Sequence, residues 1–294
     1  MINFHKLGYL DLRKLKAFTD SNNFWLHTYN PNWLFLWSDL YKPEISFTND
    51  FIFIRFLMPD IGICYYPPFG KGNLEKGIAI ITEDAKENGY DLYIAPISEE
   101  YKFEFMKLGI KIHENEQFNS YIYQAVDLAI YSNSKYKKKK QAVDEFRRFN
   151  KNSFVKMINK DEFPQILEFM NDWNAKIQTD DSNSTYFSTL NMVKQAMEHL
   201  YELDLIALEI SNGEKIVGIL IGSLMNNEGC VHLLITMPDV KGAEEELLAS
   251  YARMVQATVK YINLESDGGS KKIRKNKESY CPNRQEKFYA TFSL

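Results

Sequence analysis

The sequence predicts an α/β (α+β) protein of two domains, each a mixed, mainly antiparallel sheet flanked by helices. Three observations carry this. Short apolar or aromatic runs alternate along the chain with segments of helical periodicity. Leu205 to Ile210, Ile216 to Leu224 and Cys230 to Met237 are apolar runs joined by the turns SNGE and NNEG, the pattern of an antiparallel meander. A glycine-bearing turn opens a helix twice, at Gly70-Lys71-Gly72 and at Lys241-Gly242-Ala243, so the order of the first half recurs in the second. A length of 294 residues suffices for two domains, each burying its own core.

Residues 11 to 41 mix short helical patterns with Phe24, Trp25, Tyr29, Trp33, Phe35, Trp37 and Tyr41. Aromatics this dense either stack on bases or sugars or pack a core, and the interspersed leucines favour packing. Ile45 to Phe47, Phe51 to Leu57 and Ile61 to Tyr65 read as short antiparallel strands, punctuated by Asn49-Asp50 and Pro59-Asp60. The Gly70-Lys71-Gly72 turn then leads into a helix from Leu74 to Glu87. Its backbone amides either meet an anion or serve a structural turn stiffened by Pro67-Pro68; the spacing is not that of a P-loop. A strand at Tyr90 to Ala95, a helix at Glu99 to Leu108 and strands at Ile110 to Glu114 and Ser120 to Val126 complete a first domain, residues 1–131.

Ser134 to Asn150 is a basic amphipathic helix, with Tyr136, Val143, Phe146 and Phe149 at helical spacing, and reads as an interdomain element over residues 132–150. Its lysines either face a cleft or are solvated. In the second domain, residues 151–294, a strand at Phe154 to Ile158 precedes helices at Asp161 to Ala175 and Tyr186 to Tyr201, separated by a polar loop from Gln178 to Thr185. After the meander come a helix from Glu244 to Lys260, a strand at Tyr261 to Leu264 and a last strand at Glu286 to Phe292.

Composition bounds the function. Hydrophobic residues at 45% and charged residues at 25% fit a soluble globular protein, and a net charge of -4 argues against a non-specific nucleic-acid coat. The 3 cysteines, Cys64, Cys230 and Cys281, lack disulfide or metal spacing, and the 5 histidines form no metal motif. No apolar leader and no run long enough to span a bilayer is legible, so the expectation is a cytoplasmic chain without a transmembrane segment or metal.

The stretch from Asn263 to Pro282, NLESDGGSKKIRKNKESYCP, couples an acidic glycine turn to a run of cations, Lys271, Lys272, Arg274, Lys275 and Lys277, closed by Ser279-Tyr280. Such a turn can present backbone N–H groups beside a helix start and hold an anion, or the helix is simply a solvated basic surface.

This stretch resembles the C-terminal signature NREEDLGxxGLRKAKxSYxP of a tandem GNAT-fold family that includes the C-terminal domain of bacterial phosphatidylglycerol lysyltransferases. Asn263, Glu265, Asp267, Gly269, Arg274, Lys275, Lys277, Ser279, Tyr280 and Pro282 match in register. Lys135, Tyr136, Lys139 and Phe146 match the family's interdomain helix GxKYxxKRNxxNxF, PPFGKG is similar to its PPLGxG, and the region from Trp33 to Trp37 resembles its aromatic entry segment. Asp239-Val240-Lys241-Gly242-Ala243 stands loosely where the GNAT fold has its acyl-CoA pyrophosphate turn. The chain departs at Asn133, Lys140, Gln141 and Asp144 on the helix, at Leu234-Ile235 where the family has a Glu-Lys pair, and at Leu248 where it has an asparagine. A Leu-Ile pair cannot do acid–base work.

The resemblance implies two tandem GNAT-like domains and an acyl- or aminoacyltransferase with an acyl-CoA or aminoacyl-tRNA donor and a small-molecule, lipid or peptide acceptor. Lys241, Gly242 and Ala243 are then the cofactor-binding candidates. Lys135, Tyr136, Lys140, Asn263, Asp267, Arg274, Lys275, Lys277 and Ser279 are the substrate- or anion-binding candidates in an interdomain cleft. Tyr280 is either the general acid that protonates the leaving group or a packing tyrosine. The alternatives are a catalytically degenerate protein that binds an anionic ligand without turnover, and a nucleic-acid binder acting through the lysine-rich helix.

Overall fold

The structure is a computed structural model and describes residues 2–20, 25–58, 61–177 and 182–293, for 182–185 the backbone only. Phe24, the Pro59-Asp60 turn and residues 178–181 of the expected polar loop lie outside the described residues. The chain divides into two compact units: Met1–Ser120, Ser266–Ser270 and Gln285–Leu294 form the first, and Tyr121–Glu265 with Lys271–Arg284 the second.

The first unit runs β1 (His5–Lys6), α1 (Tyr9–Asp20), α2 (Pro31–Leu36), α3 (Ser38–Tyr41), β2 (Glu44–Phe47), β3 (Phe51–Met58), β4 (Gly62–Tyr65), β5 (Phe69–Gly70), α4 (Leu74–Glu87), β6 (Tyr93–Ile94), α5 (Glu99–Lys107) and β7 (Ile112–Glu114). Its sheet has the order β1-β2-β3-β4-β6, with β5 beside β3. All pairs are antiparallel except β4 with β6. Phe51, Phe53, Tyr65, Ile78, Ile81, Ile94 and Phe105 make its core. The expected strand at Tyr90 to Ala95 shrinks to two residues, because the turn at Asn88-Gly89 carries Tyr90 and Asp91 out to the surface.

The aromatics after Trp25 pack rather than present a stacking surface: Tyr29, Trp33 and Phe35 are buried, and the Tyr29 hydroxyl donates to the Pro96 carbonyl at 2.8 Å. The Gly70-Lys71-Gly72 turn is structural. Both the Lys71 and Gly72 amides donate to the Asp50 carbonyl, at 2.9 and 3.1 Å, so neither is left for an anion. Gly70 has φ +132°, and a Cβ there would stand 2.2 Å from that same oxygen. Asn73 caps α4 by accepting from the Lys76 amide.

The second unit holds β8 (Ser120–Gln124) from Tyr121 on, then α6 (Ala125–Ile130), α7 (Lys137–Phe149), β9 (Ser153–Met157), α8 (Phe163–Ile177), α9 (Ser182–Glu198), β10 (Ile206–Asn212), β11 (Lys215–Met225), β12 (Glu228–Thr236), α10 (Ala243–Val255), β13 (Tyr261–Asn263), α11 (Lys271–Ser279) and the first residue of β14 (Arg284–Glu286). The sheet order is β14-β8-β13-β12-β11-β10-β9. The meander β10-β11-β12 is antiparallel as expected, and β13 pairs parallel to β12.

Several expectations are corrected. The strand expected to reach Val126 ends at Gln124 and turns into α6, whose Leu128 and Ala129 are buried while Val126 and Ile130 face out: a 3.6-residue period hidden in six residues. α9 begins at Ser182, so the latter half of the expected loop is helical. α7 starts at Lys137, after a 3-10 turn over Ser134–Tyr136. α10 stops at Val255, short of Lys260, ahead of the β-branched pair Thr258-Val259. The expected last strand is two, β14 and β15 (Tyr289–Thr291); β15 belongs to the first unit, where it pairs with β7.

Two register features position the site. β12 and β13 pair only at Glu228↔Tyr261, Gly229↔Ile262 and Cys230↔Asn263, while β12 runs on to Thr236. Beyond Cys230 no described strand continues on that side of β12. Between β11 and β12 the register passes from Gly222↔Val231 to Ile221↔Leu233, which leaves His232 as the extra residue of a β-bulge.

Candidate active site

The β11–β12 hairpin turns through Asn226 and Asn227, with Met225 opposite Glu228 and Ser223 opposite Cys230. This register brings the bulge residue His232 to Ser223, whose Oγ lies 2.8 Å from His232 Nε2. On the other side of the ring, His232 Nδ1 lies 2.7 Å from Glu265 Oε1. Glu265 follows β13 in the left-handed region, φ +60°, a conformation that costs a non-glycine residue on the order of 1–3 kcal/mol and clusters at functional positions. Its amide donates to Asn263 Oδ1 at 2.8 Å, and Asn263 Nδ2 donates to Glu228 Oε2 at 3.1 Å. A buried row of polar groups, Ser223, His232, Glu265, Asn263 and Glu228, thus crosses three adjacent strands at the end of the β12–β13 ladder.

The chemistry of the row follows from its donors and acceptors. An ionised carboxylate only accepts, so Glu265 fixes the proton on Nδ1. Nε2 faces the Ser223 hydroxyl, which donates to it when the ring is neutral with its proton on Nδ1. The His232 side chain is 0% exposed and that of Glu265 10%, which makes exchange of these partners for water costly. A hydroxyl, an imidazole and a carboxylate stand here in hydrogen-bonded order, an arrangement that fixes the orientation of the imidazole ring.

Tyr280 lies in a different cluster. It follows α11, is 1% exposed, and its hydroxyl donates to Glu244 Oε1 at 2.9 Å. Asn276 Nδ2 donates to the same oxygen at 2.7 Å, the Lys139 ammonium sits 3.5 Å from the Tyr280 ring centroid, and the Tyr131 and Tyr123 rings pack beside it. Burial pushes the Tyr280 phenol well above its ordinary pKa of 10.0, and Glu244, Tyr131 and Glu245 push it further. Its proton is therefore held tightly and directed at a carboxylate of the chain. Lys135 pairs with Asp127 at 3.4 Å, and the buried Tyr136 donates to the same carboxylate at 3.4 Å. These residues form the wall in which α11 is latched to α7 and α10.

The turn Lys241-Gly242-Ala243 opens α10 with its positive end already occupied. Glu244, Glu245 and Glu246 fill the first turn. Glu244 accepts from Tyr280 and Asn276, Glu245 from Lys139 at 3.1 Å, and Glu246 from both Arg147, at 2.9 and 3.0 Å, and Arg253 at 3.0 Å. The helix dipole is neutralised by its own carboxylates, and an incoming phosphate would meet negative charge. Gly242 takes φ +83° with a would-be Cβ 2.3 Å from the Ala142 carbonyl of α7, so that helix closes over the turn. Lys241 is exposed and Ala243 buried.

The other expected residues divide among surface, turn and row. Lys140, Lys275 and Ser279 are exposed on the surface, Arg274 is half-buried, and the Lys277 ammonium donates to the Leu264 carbonyl. Asp267 lies in the first unit, where its carboxylate accepts from the Gly269 amide at 2.8 Å while the Gly268 amide donates to the Gln117 carbonyl at 3.0 Å. The glycine turn thus spends these amides on the chain itself. Asn263 belongs to the polar row rather than to the basic wall.

Sequence reasoning passed over Ser223 and His232. Within the runs Ile216 to Leu224 and Cys230 to Met237 they are polar residues on either side of a tight turn, but pairing the runs sets Ser223 opposite Cys230, so their meeting depends on the bulge. The bulge that aims His232 leaves no comparable trace. Among the described residues no cluster of His, Cys, Asp or Glu could hold a metal, and no helix is long and apolar enough to cross a membrane.

The antiparallel meander, the parallel strand beside it and the helix that follows the glycine turn are those of a protein of the tandem GNAT class. Residues 26–291 match the family model described as phosphatidylglycerol lysyltransferase, C-terminal, and the chain belongs to that family. A crystal structure of a conserved protein of unknown function from Bacteroides thetaiotaomicron shares 22% identity at a TM-score of 0.89, covering 99% of this chain and 100% of that one. The C-terminal domain of a candidate lysylphosphatidylglycerol synthetase from Agrobacterium fabrum shares 11% identity at a TM-score of 0.65, over 97% of this chain and 92% of that one. A tandem GNAT protein from the clavulanic acid biosynthesis pathway, solved without AcCoA, shares 9% identity at 0.52, over 99% and 98%. Among curated proteins none matches. At these identities the structural likeness concerns the fold.

Proposed function

We propose that the chain transfers an activated acyl or aminoacyl group to an amine or hydroxyl acceptor, with His232 at the reaction centre. The observation that carries this reading is the His232–Glu265 pair just past the last ladder pair of β12 and β13, where β12 runs on without a described strand partner. An imidazole oriented by a carboxylate beside a strand edge suits acyl transfer, which needs positioning and proton movement more than any further chemistry. The family's name denotes a lysyl transfer to phosphatidylglycerol, and the tandem GNAT relative is described by reference to AcCoA. Both make an aminoacyl-tRNA or an acyl-CoA the donor class to test, with a lipid, peptide or small molecule as acceptor. In this reading Lys135, Lys140, Arg274, Lys275 and Lys277 attract the anionic donor, and Tyr280 holds α11 in place rather than acting as the acid.

The test follows label from lysyl-tRNA and from acetyl-CoA into phosphatidylglycerol vesicles and amine acceptors. The expected result is transfer from one donor, slowed about 10²- to 10⁴-fold in His232→Ala. Equal rates in the variant would remove His232 from the reaction. A second reading, binding of an anionic ligand without turnover, is favoured by Leu234-Ile235, half-buried and apolar where the family carries charge, and predicts a donor-dependent rise in melting temperature with no transfer.

A further inference from the structure

We propose that the first unit binds a neutral bicyclic aromatic molecule of indole size, in a cavity between one face of its sheet and the β7–β15 ribbon that covers it. This site is separate from the polar row of the second unit and does not depend on the transferase reading. The cavity measures about 260 Å³. Its floor comes from the sheet: the register sets Cys64 of β4 opposite Tyr93 of β6, Met58 Sδ lies 4.0 Å from Cys64 Sγ, and Ala95 lines the same space. Its roof comes from the ribbon. There Ala290 pairs with His113, and the Ile94 amide donates to the Thr291 hydroxyl at 2.9 Å, which fastens β15 to β6. Met58, Cys64, Ala95 and Ala290 are buried, whereas His113 is exposed and Phe292 is 54% exposed, so the buried floor ends in a rim that solvent reaches.

The lining selects the ligand. Among the described residues that line the cavity none is Asp, Glu, Lys or Arg, so an ion would lose its hydration there without a countercharge. Burial pushes the Cys64 thiol up to about 12, which keeps it protonated and uncharged at neutral pH. Largely apolar walls hold water weakly, and an apolar occupant gains by displacing it. The rings and sulfurs then favour a planar aromatic over an alkyl chain. Tyr93, His113 and Phe292 supply three rings, the last two with centroids 4.6 Å apart, and Met58 and Cys64 supply two sulfurs, which make favourable contacts with aromatic rings. A cavity of about 150 Å³ holds benzene. The larger volume here leaves room for a second fused ring.

The test titrates indole into the whole chain carrying isotope-labelled methionine methyls, with the Met58 resonance assigned by its loss in Met58→Leu. The expected result is a saturable ring-current shift at Met58 with a dissociation constant below about 1 mM. Ala290→Leu fills the cavity with three further carbons and should weaken binding at least about tenfold. Phe292→Ala removes a ring from the half-exposed rim and should weaken it about two- to tenfold. Melting curves establish that each variant is folded; if Ala290→Leu is not, Phe292→Ala decides alone. No saturable shift at Met58 in the wild-type chain, or unchanged affinity in the folded variants, overturns the proposal. So does tighter binding of 1-octanol than of indole, which would make the site one for alkyl chains, or binding of indole-3-acetate as tight as that of indole, which would show that the site takes an anion.

Discussion

Tyr280 is where a resemblance in sequence and a side chain's surroundings part company. Its position in the C-terminal signature invites a role in proton transfer, but its hydroxyl is buried against Glu244, and what it does in the fold is hold α11. Tyr280→Phe removes one of the two donors to Glu244 Oε1 and is expected to lower stability by about 1 kcal/mol, read as a shift in urea midpoint. The pH dependence has a definite sign. Burial raises the folded pKa of Tyr280 above its ordinary 10.0, so its contribution is intact below pH 10 and is lost as pH rises toward the folded value, because the unfolded chain ionises first. The melting temperature of the wild-type chain should therefore fall more steeply above about pH 10 than that of Tyr280→Phe; parallel curves would show that Tyr280 does not titrate in this way. Asn263 and Glu265 tell the converse story. Both stand in the signature, yet His232, which Glu265 meets, and Glu228, to which Asn263 donates, lie outside it.

Strands and helices were legible in the sequence because burial imposes periods of 2 and 3.6 on apolar residues. The meander and α4, α7 and α10 follow from that pattern, whereas α6 was missed because its six residues are too short to distinguish a helix from the end of a strand. The turn into α10 shows what a motif omits. Glycine at position 242 reads as an amide cradle for phosphate, but it is also the contact point of two helices. Gly242→Ala must place a Cβ 2.3 Å from the Ala142 carbonyl and 2.8 Å from Phe146 Cβ while keeping φ +83°. The expected cost is on the order of 2 kcal/mol, read in the denaturation midpoint. A variant as stable as the wild type would mean that α7 and α10 do not close on one another as described.

The first unit is discontinuous in the chain, and that has a consequence for the whole molecule. Residues Gln285–Leu294 return to it and satisfy groups more than a hundred residues upstream: the Ile97 amide donates to the Tyr289 carbonyl at 2.8 Å, the Asn115 amide to the Phe288 carbonyl at 2.8 Å, and the Ile94 amide to the Thr291 hydroxyl at 2.9 Å. Phe288, Tyr289 and Thr291 are buried there. Removing residues 285–294 should expose the amides of Ile94, Ile97 and Asn115 to rapid hydrogen exchange, while the amides of β10 and β11 in the second unit keep their protection. Protection retained at Ile97 would show that the terminal segment is dispensable to the first unit.

What the sequence by itself determined is what depends on local periodicity and on matched residue types: the α/β class, the tandem arrangement, the family, and the basic character of α7 and α11. The first compact unit is assembled from three stretches of chain, and long-range contacts decide which stretches join. The tertiary structure alone decided which polar groups meet. Ser223, His232 and Glu265 become neighbours through strand register, a one-residue bulge and the end of the β12–β13 ladder, and hydrogen bonding fixes each of these between strands remote in sequence. Local sequence carries no trace of which carbonyl a distant amide will find, so the fold was legible from the residues and its chemistry was not.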